Sequence, residues 1–266
     1  MAPTEPSSPP DNIRRWATLL AIIAAFAVNI WTNIDPVNGL NVGEISNQFF
    51  EDVKIIPASY AFSIWGLIYL GLFALGIYQV LPGQRDNTHL DRMGYGLVWA
   101  SLAQIVWIFL FLYRRFPLSL VAMAAILLSL IYSYLKLDVG RVRVPKWEAG
   151  FVNAPLSIYM GWISVATIVN VAIALYSLNW DGWGIAPQVW TAIVIIVAAT
   201  IAIALRVRHR ETAYPLVMIW ALIAIAVGQN DPAIVTTAVM AALVVSLYGF
   251  GSTILRSSSV PESGEN

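Results

Sequence analysis

Residues 57–80 read PASYAFSIWGLIYLGLFALGIYQV, and from Ala58 to Val80 the run contains no Asp, Glu, Lys, Arg or His. A segment this apolar on every side has no polar face to turn toward water. At 1.5 Å per residue it makes a helix roughly 35 Å long, which spans the ~30 Å hydrocarbon core of a bilayer. The same criterion, applied outward in both directions, gives Trp16 to Asn33, Met93 to Tyr113, Pro117 to Leu135, Phe151 to Tyr176, Pro187 to Leu205, Ala213 to Gly228 and Ala233 to Leu255, again free of ionisable side chains. Composition agrees. The 266 residues are 59% hydrophobic and 11% charged, with a mean hydropathy of +0.71, against roughly 45–50% apolar residues in soluble domains. The expected fold is an all-α membrane protein of about eight transmembrane helices. Because the seventh run is short and is followed by Gln229-Asn230-Asp231-Pro232, a re-entrant hairpin with seven full crossings is the alternative.

Lys and Arg collect in cytoplasmic loops. With eight crossings, only Lys54, Arg114 and Arg115 of the fifteen basic residues fall on one side, and the remaining twelve, from Arg14 and Arg15 to Arg256, fall on the other. This predicts cytoplasmic N- and C-termini in a plasma or inner membrane. The longest connection, Ile34 to Pro57, lies on the outer side and reads either as a lid over a cavity or as a solvated connector. Four parts are expected: a disordered start (1–14), a five-helix part (15–178), a three-helix extension (179–256) and a disordered tail (257–266).

Composition also excludes function classes. The chain holds no cysteine, which removes disulfides, thiolate nucleophiles and Cys-ligated metals. Fifteen acidic residues balance the fifteen basic ones, so there is no electrostatic footprint for nucleic acid. Spans without ionisable residues lack the groups that build proton relays and voltage sensors, and no lysine lies within a span to form a retinal Schiff base. His89 and His209 read as surface loop residues without partners, and no metal or catalytic constellation is evident.

Aromatic and amide side chains remain. Of eleven tryptophans, Trp16, Trp147, Trp180, Trp183 and Trp190 sit where an interfacial belt would put them. Trp65, Trp99, Trp107 and Trp162 lie inside spans, where the ring offers a flat apolar face and the indole N–H requires a partner. Asn29, Asn33, Gln104, Asn153 and Asn170 are amides within or beside spans, which commonly bond between helices. On the topology above, Asn29, Trp31, Asn33, Tyr60, Trp65, Trp107, Thr167 and Asn170 share the outer leaflet beneath the long loop, and the pocket is expected there.

Two stretches carry a resemblance. Phe62, Trp65 and Tyr69, with Tyr60 near the position of a further aromatic, resemble the second helix of the TspO/MBR family, the tryptophan-rich sensory or translocator proteins. Gly161-Trp162 followed by Ala166-Thr167 and Asn170 is similar to that family's fifth helix, with the preceding proline displaced to Pro155. The resemblance covers about Trp16 to Tyr176 and leaves the last three helices outside. It implies a five-helix bundle, often a homodimer, with a pocket beneath the first loop that takes porphyrins, other tetrapyrroles or sterol-like hydrophobic molecules. The resemblance implicates Trp65 and its neighbours on the second helix, with Trp162 and Asn170 on the fifth; together with the outer-leaflet residues, the expected lining is Trp31, Asn33, Tyr60, Trp65, Tyr69, Trp107, Trp162, Thr167 and Asn170. No enzymatic activity is expected; a planar hydrophobic ligand and the lipid bilayer are the expected partners. A small-solute permease and a structural or assembly protein are the competing readings.

The topology is checked on the cysteine-free background. Glu51→Cys is expected to react with a membrane-impermeant maleimide on intact cells, and Asp86→Cys only after permeabilisation; the reverse pattern would invert the orientation.

Overall fold

The computed structural model describes residues 12–257, and every regular element in that range is helical. The principal helices are α1 (Asn12–Ile34), α2 (Val42–Phe49), α3 (Ile64–Val80), α4 (Gly96–Leu112), α5 (Phe116–Lys136), α6 (Ala154–Ser177), α7 (Pro187–His209), α8 (Ala213–Gly228) and α9 (Pro232–Ser257). Among the described residues six segments are long and apolar enough to cross a membrane, and α4 and α8 are shorter apolar helices of 17 and 16 residues. Their outward faces carry exposed leucine, isoleucine and valine, such as Leu70, Leu128, Ile196 and Leu247, the surface a lipid solvent favours. The expected disordered start overlaps α1 at residues 12–14; its remainder, and the tail beyond Ser257, lie outside the described residues.

Five long helices close into a ring. α1 packs on α3 and α4, α3 on α6, α4 on α5, and α5 on α6. Close approach of α3 and α6 depends on Gly71, where a Cβ would stand 3.0 Å from the Cβ of Pro155. The last three helices, α7, α8 and α9, pack against one another, and α8 also packs on α6. Asp231 starts α9 by accepting from the backbone N–H of Ala233 at 2.9 Å, an N-cap that accounts for the polar Gln229–Pro232 break as a turn between helices.

α8 reaches further, onto the junction between the first long connection and α3. The Ala58 N–H donates to Ala224 O at 2.9 Å, Trp220 Nε1 donates to Ala61 O at 3.2 Å, and Gln229 Nε2 donates to Ile56 O at 2.9 Å. Gly228 permits this contact, since a Cβ there would lie 2.6 Å from the Ala58 nitrogen.

The opposite end of the bundle departs from expectation in its charges. Arg14 and Arg15 are each 1% exposed in the first turn of α1 rather than in a solvated loop. Both donate to one oxygen of Asp91 at 2.8 Å, and Arg15 also donates to Gln84 O at 2.6 Å and Arg85 O at 3.1 Å. The histidines are likewise corrected. His89 Nδ1 lies 2.5 Å from Glu148 Oε1 and its Nε2 donates to Leu137 O at 2.9 Å; His209 is buried, with Nδ1 donating to Val139 O at 3.2 Å. Connections at this end are short enough to fold back over the helix termini, which buries the polar groups that cap them. Among the described residues no group of three or more His, Asp or Glu side chains is placed to hold a metal.

Both buried guanidinium groups donate to the Asp91 carboxylate, and removing one partner of a buried ion pair is destabilising. Because the Asp91 side chain is about a third exposed, the expected cost of Asp91→Ala is moderate, about 2–3 kcal/mol, read as a lower unfolding temperature in detergent. An unchanged unfolding temperature would show that the other partners of the arginines hold them without this carboxylate.

Candidate functional site

The connection between α1 and α3 is folded. Asn41 caps α2 by accepting from the Glu44 N–H at 3.0 Å, while the Glu44 carboxylate accepts from the Asn41 N–H at 2.7 Å, a capping box. Ile45, Phe50, Val53, Ile55 and Ile56 are buried, with Phe50 edge-on to Phe116 and Tyr176. Asn38 Nδ2 further ties the segment to Leu112 O at 3.0 Å. Of the two readings of this connection, the packed cover describes it.

Beneath α2 lies a cavity of about 490 Å³. Its floor is aromatic: Phe62 and Trp65 at the start of α3, Trp107 and Phe111 on α4, and Trp162 on α6. From α6 the contributors are Trp162, Val165, Ala166, Val169, Asn170 and Ile173, spaced i, i+3, i+4, i+7, i+8 and i+11, which is one stripe of a helix. The mouth is polar, formed by Asn29, Thr32 and Asn33 of α1, the segment Asn41–Glu44, Ser46 and Asn47 of α2, and Ser59.

Two hydrogen-bond chains fix the floor. Trp107 Nε1 donates to Asn170 Oδ1 at 2.6 Å, Asn170 Nδ2 donates to Ser119 Oγ at 3.0 Å, and Ser119 Oγ donates to Phe116 O at 2.8 Å. The second runs from Tyr159 OH to Gln104 Oε1 at 2.6 Å, from Gln104 Nε2 to Tyr69 OH at 2.7 Å, and from Tyr69 OH to Ala25 O at 3.3 Å. Trp65 leans on this second chain, its ring 5.6 Å from Tyr69 and 6.0 Å from Tyr159, and Trp162 meets Phe62 edge-on at 5.9 Å.

Asn33, Trp65, Trp107, Trp162 and Asn170 therefore share the cavity wall; the other four expected residues stand elsewhere. Trp31 is half exposed on the outer face of α1 and packs on Phe109. Tyr60 lies against Trp220 of α8. Tyr69 is 3% exposed and committed to the Gln104 chain, and Thr167 bonds back to Ile163 O of its own helix. Asn170 has its amide oxygen engaged by Trp107, so it holds the indole in place rather than facing the cavity as an unoccupied acceptor. Sequence reasoning passed over Phe111, the apolar stripe of α6, and the α2 residues; helical periodicity counted from Trp162, and the Asn41-to-Glu44 capping spacing, were the available signals.

A model of the family described as TSPO-like protein matches residues 15–250. The chain belongs to the TSPO-like family. The match runs through α7 and α8 and most of α9, whereas the two motifs reach only to α6. No curated protein and no solved structure matches the chain.

Asn170→Leu leaves the Trp107 N–H without its acceptor and removes the donor to Ser119 Oγ, an expected loss of about 1–3 kcal/mol seen as a lower unfolding temperature. Thr167→Ala, off the wall, is expected to stay within about 0.5 kcal/mol of the parent. Equal effects of the two would refute the role of the Trp107–Asn170 pair.

Proposed function

We propose that this TSPO-like membrane protein is a receptor or carrier that takes a planar hydrophobic ligand, such as a porphyrin or another tetrapyrrole, into the cavity beneath α2. The observation that carries this reading is the convergence of Trp65, Trp107 and Trp162 on one cavity of about 490 Å³. That volume falls within the roughly 300–1,000 Å³ of small-molecule sites, and indole faces bind flat apolar rings through large contact area. Pre-formed hydrogen-bond chains behind Trp107 and Trp65 favour affinity, because side chains already ordered lose little freedom on binding. The lining carries a single ionisable side chain, Glu44, and so offers no paired acid and base, which favours binding over catalysis. The asymmetry of the basic residues supports cytoplasmic termini and a cavity mouth that opens on the other side of the membrane.

The test titrates purified protein in nanodiscs with protoporphyrin IX and with its dimethyl ester, following the ligand's visible absorbance so that loss of an indole fluorophore does not mimic loss of binding. Saturable binding by at least one of them is expected, weakened about tenfold or more in a Trp65→Ala, Trp162→Ala double variant, the scale of two lost aromatic contacts. The absence of saturable binding by either, or affinity unchanged in the double variant, would overturn the reading.

A further inference from the structure

The mouth of the cavity is lined by amides, hydroxyls and a single charge, and that charge is negative. Glu44 is its one ionisable residue, and no Lys or Arg lines the cavity. The amide N–H groups at the rim are partly committed to the protein: Asn33 Nδ2 donates to Asn29 O at 2.7 Å, and Asn47 Nδ2 donates to Ser59 Oγ at 2.9 Å. The corresponding amide oxygens accept from no described residue, so Asn33 and Asn47 add two acceptors to the lining that holds Glu44. Basic side chains at this end lie off the cavity; the Arg114 guanidinium sits 4.3 Å over the ring of Phe49, at the far end of α2 and outside the lining.

The connections at this end of the bundle carry Lys54, Arg114 and Arg115 against Asp35, Glu44, Glu51, Asp52, Asp181 and Asp231, an excess of negative charge on the end where the cavity opens. A carboxylate brought to this mouth would be partly desolvated with no cation to pair it and would meet the like charge of Glu44. An N–H or O–H donor, or an ammonium, would find three acceptors.

We infer that the cavity selects planar apolar ligands whose polar edge is an uncharged hydrogen-bond donor or a cation, and discriminates against those carrying free carboxylates. This rests on the reading of the cavity as a planar-ligand site and specifies the charge of its ligand. For a tetrapyrrole, the form taken up is one with its acid groups masked or absent.

The experiment holds the ring constant and varies the charge: protoporphyrin IX as the dicarboxylate, its dimethyl ester, and its bis-amide with ethylenediamine as the dication. The full-length protein is placed in phosphatidylcholine nanodiscs, and partition into empty nanodiscs is subtracted. The ester and the dication are expected to bind about tenfold tighter than the diacid, the order set by one or two partly solvated charge contacts. Glu44→Gln, which preserves the capping box, narrows that ratio, and Asn47→Lys narrows or reverses it. Equal or tighter binding of the diacid to the parent, or a ratio that neither substitution moves, would overturn the charge selection and leave the planar-ligand site standing. Failure of all three porphyrins to bind saturably would remove the site itself, and the selection with it.

Discussion

Hydrocarbon supplies no hydrogen bonds, so each polar side chain carried into this bundle must be answered by another protein group. Two short chains meet much of that demand. Tyr159, Gln104 and Tyr69 end on Ala25 and so join α6, α4, α3 and α1; Trp107, Asn170 and Ser119 join α4, α6 and α5. Between them they touch all five ring helices. Individual interhelical bonds of this sort contribute modestly, averaging about 0.6 kcal/mol with a maximum near 1.7. Their value here is in specificity, since rotating α4 or α6 by one residue would strand several donors at once. Most hydroxyls in the spans ask for nothing from neighbours: Thr18, Thr32, Ser164 and Thr167 bond back to the carbonyl four residues earlier.

The floor of the cavity inherits its rigidity from those chains. Trp65 and Trp107 are placed by groups behind them, which leaves their faces available while their orientation is already set. α8 contributes from outside the ring, because its bonds to Ile56, Ala58 and Ala61 fix the point where the cover over the cavity turns into α3. Phe62 and Trp65 follow within one turn. The last three helices are thus part of the frame of the site, which agrees with a family span that includes them.

Helix positions were legible because length and unbroken hydrophobicity are local properties, and depth in the membrane follows from counting along each helix. Azimuth is not so readily counted. Asn29 and Asn33 are four residues apart and face the cavity together, whereas Trp31, midway between them, is turned through roughly 200° from either and faces outward. Thr167 misses the α6 stripe for the same reason. Tyr60 was drawn away by Trp220, and Arg14 and Arg15 by Asp91, partners far along the chain that no local pattern announces. The environment of the two arginines is a buried corner of the bundle, which a count of charges along the chain does not reveal.

That sealed corner sets a dimension. α1 is anchored at its first turn, where Asp91 and the carbonyls of Gln84 and Arg85 hold the arginines from several directions, and sliding the helix along its axis would break all of these contacts together. From Arg15 to Asn33 an unbroken helix covers about 27 Å at 1.5 Å per residue. The helix therefore acts as a strut of fixed length, pinned at its foot, and the height of the mouth amides above the aromatic floor is determined at the other face of the membrane.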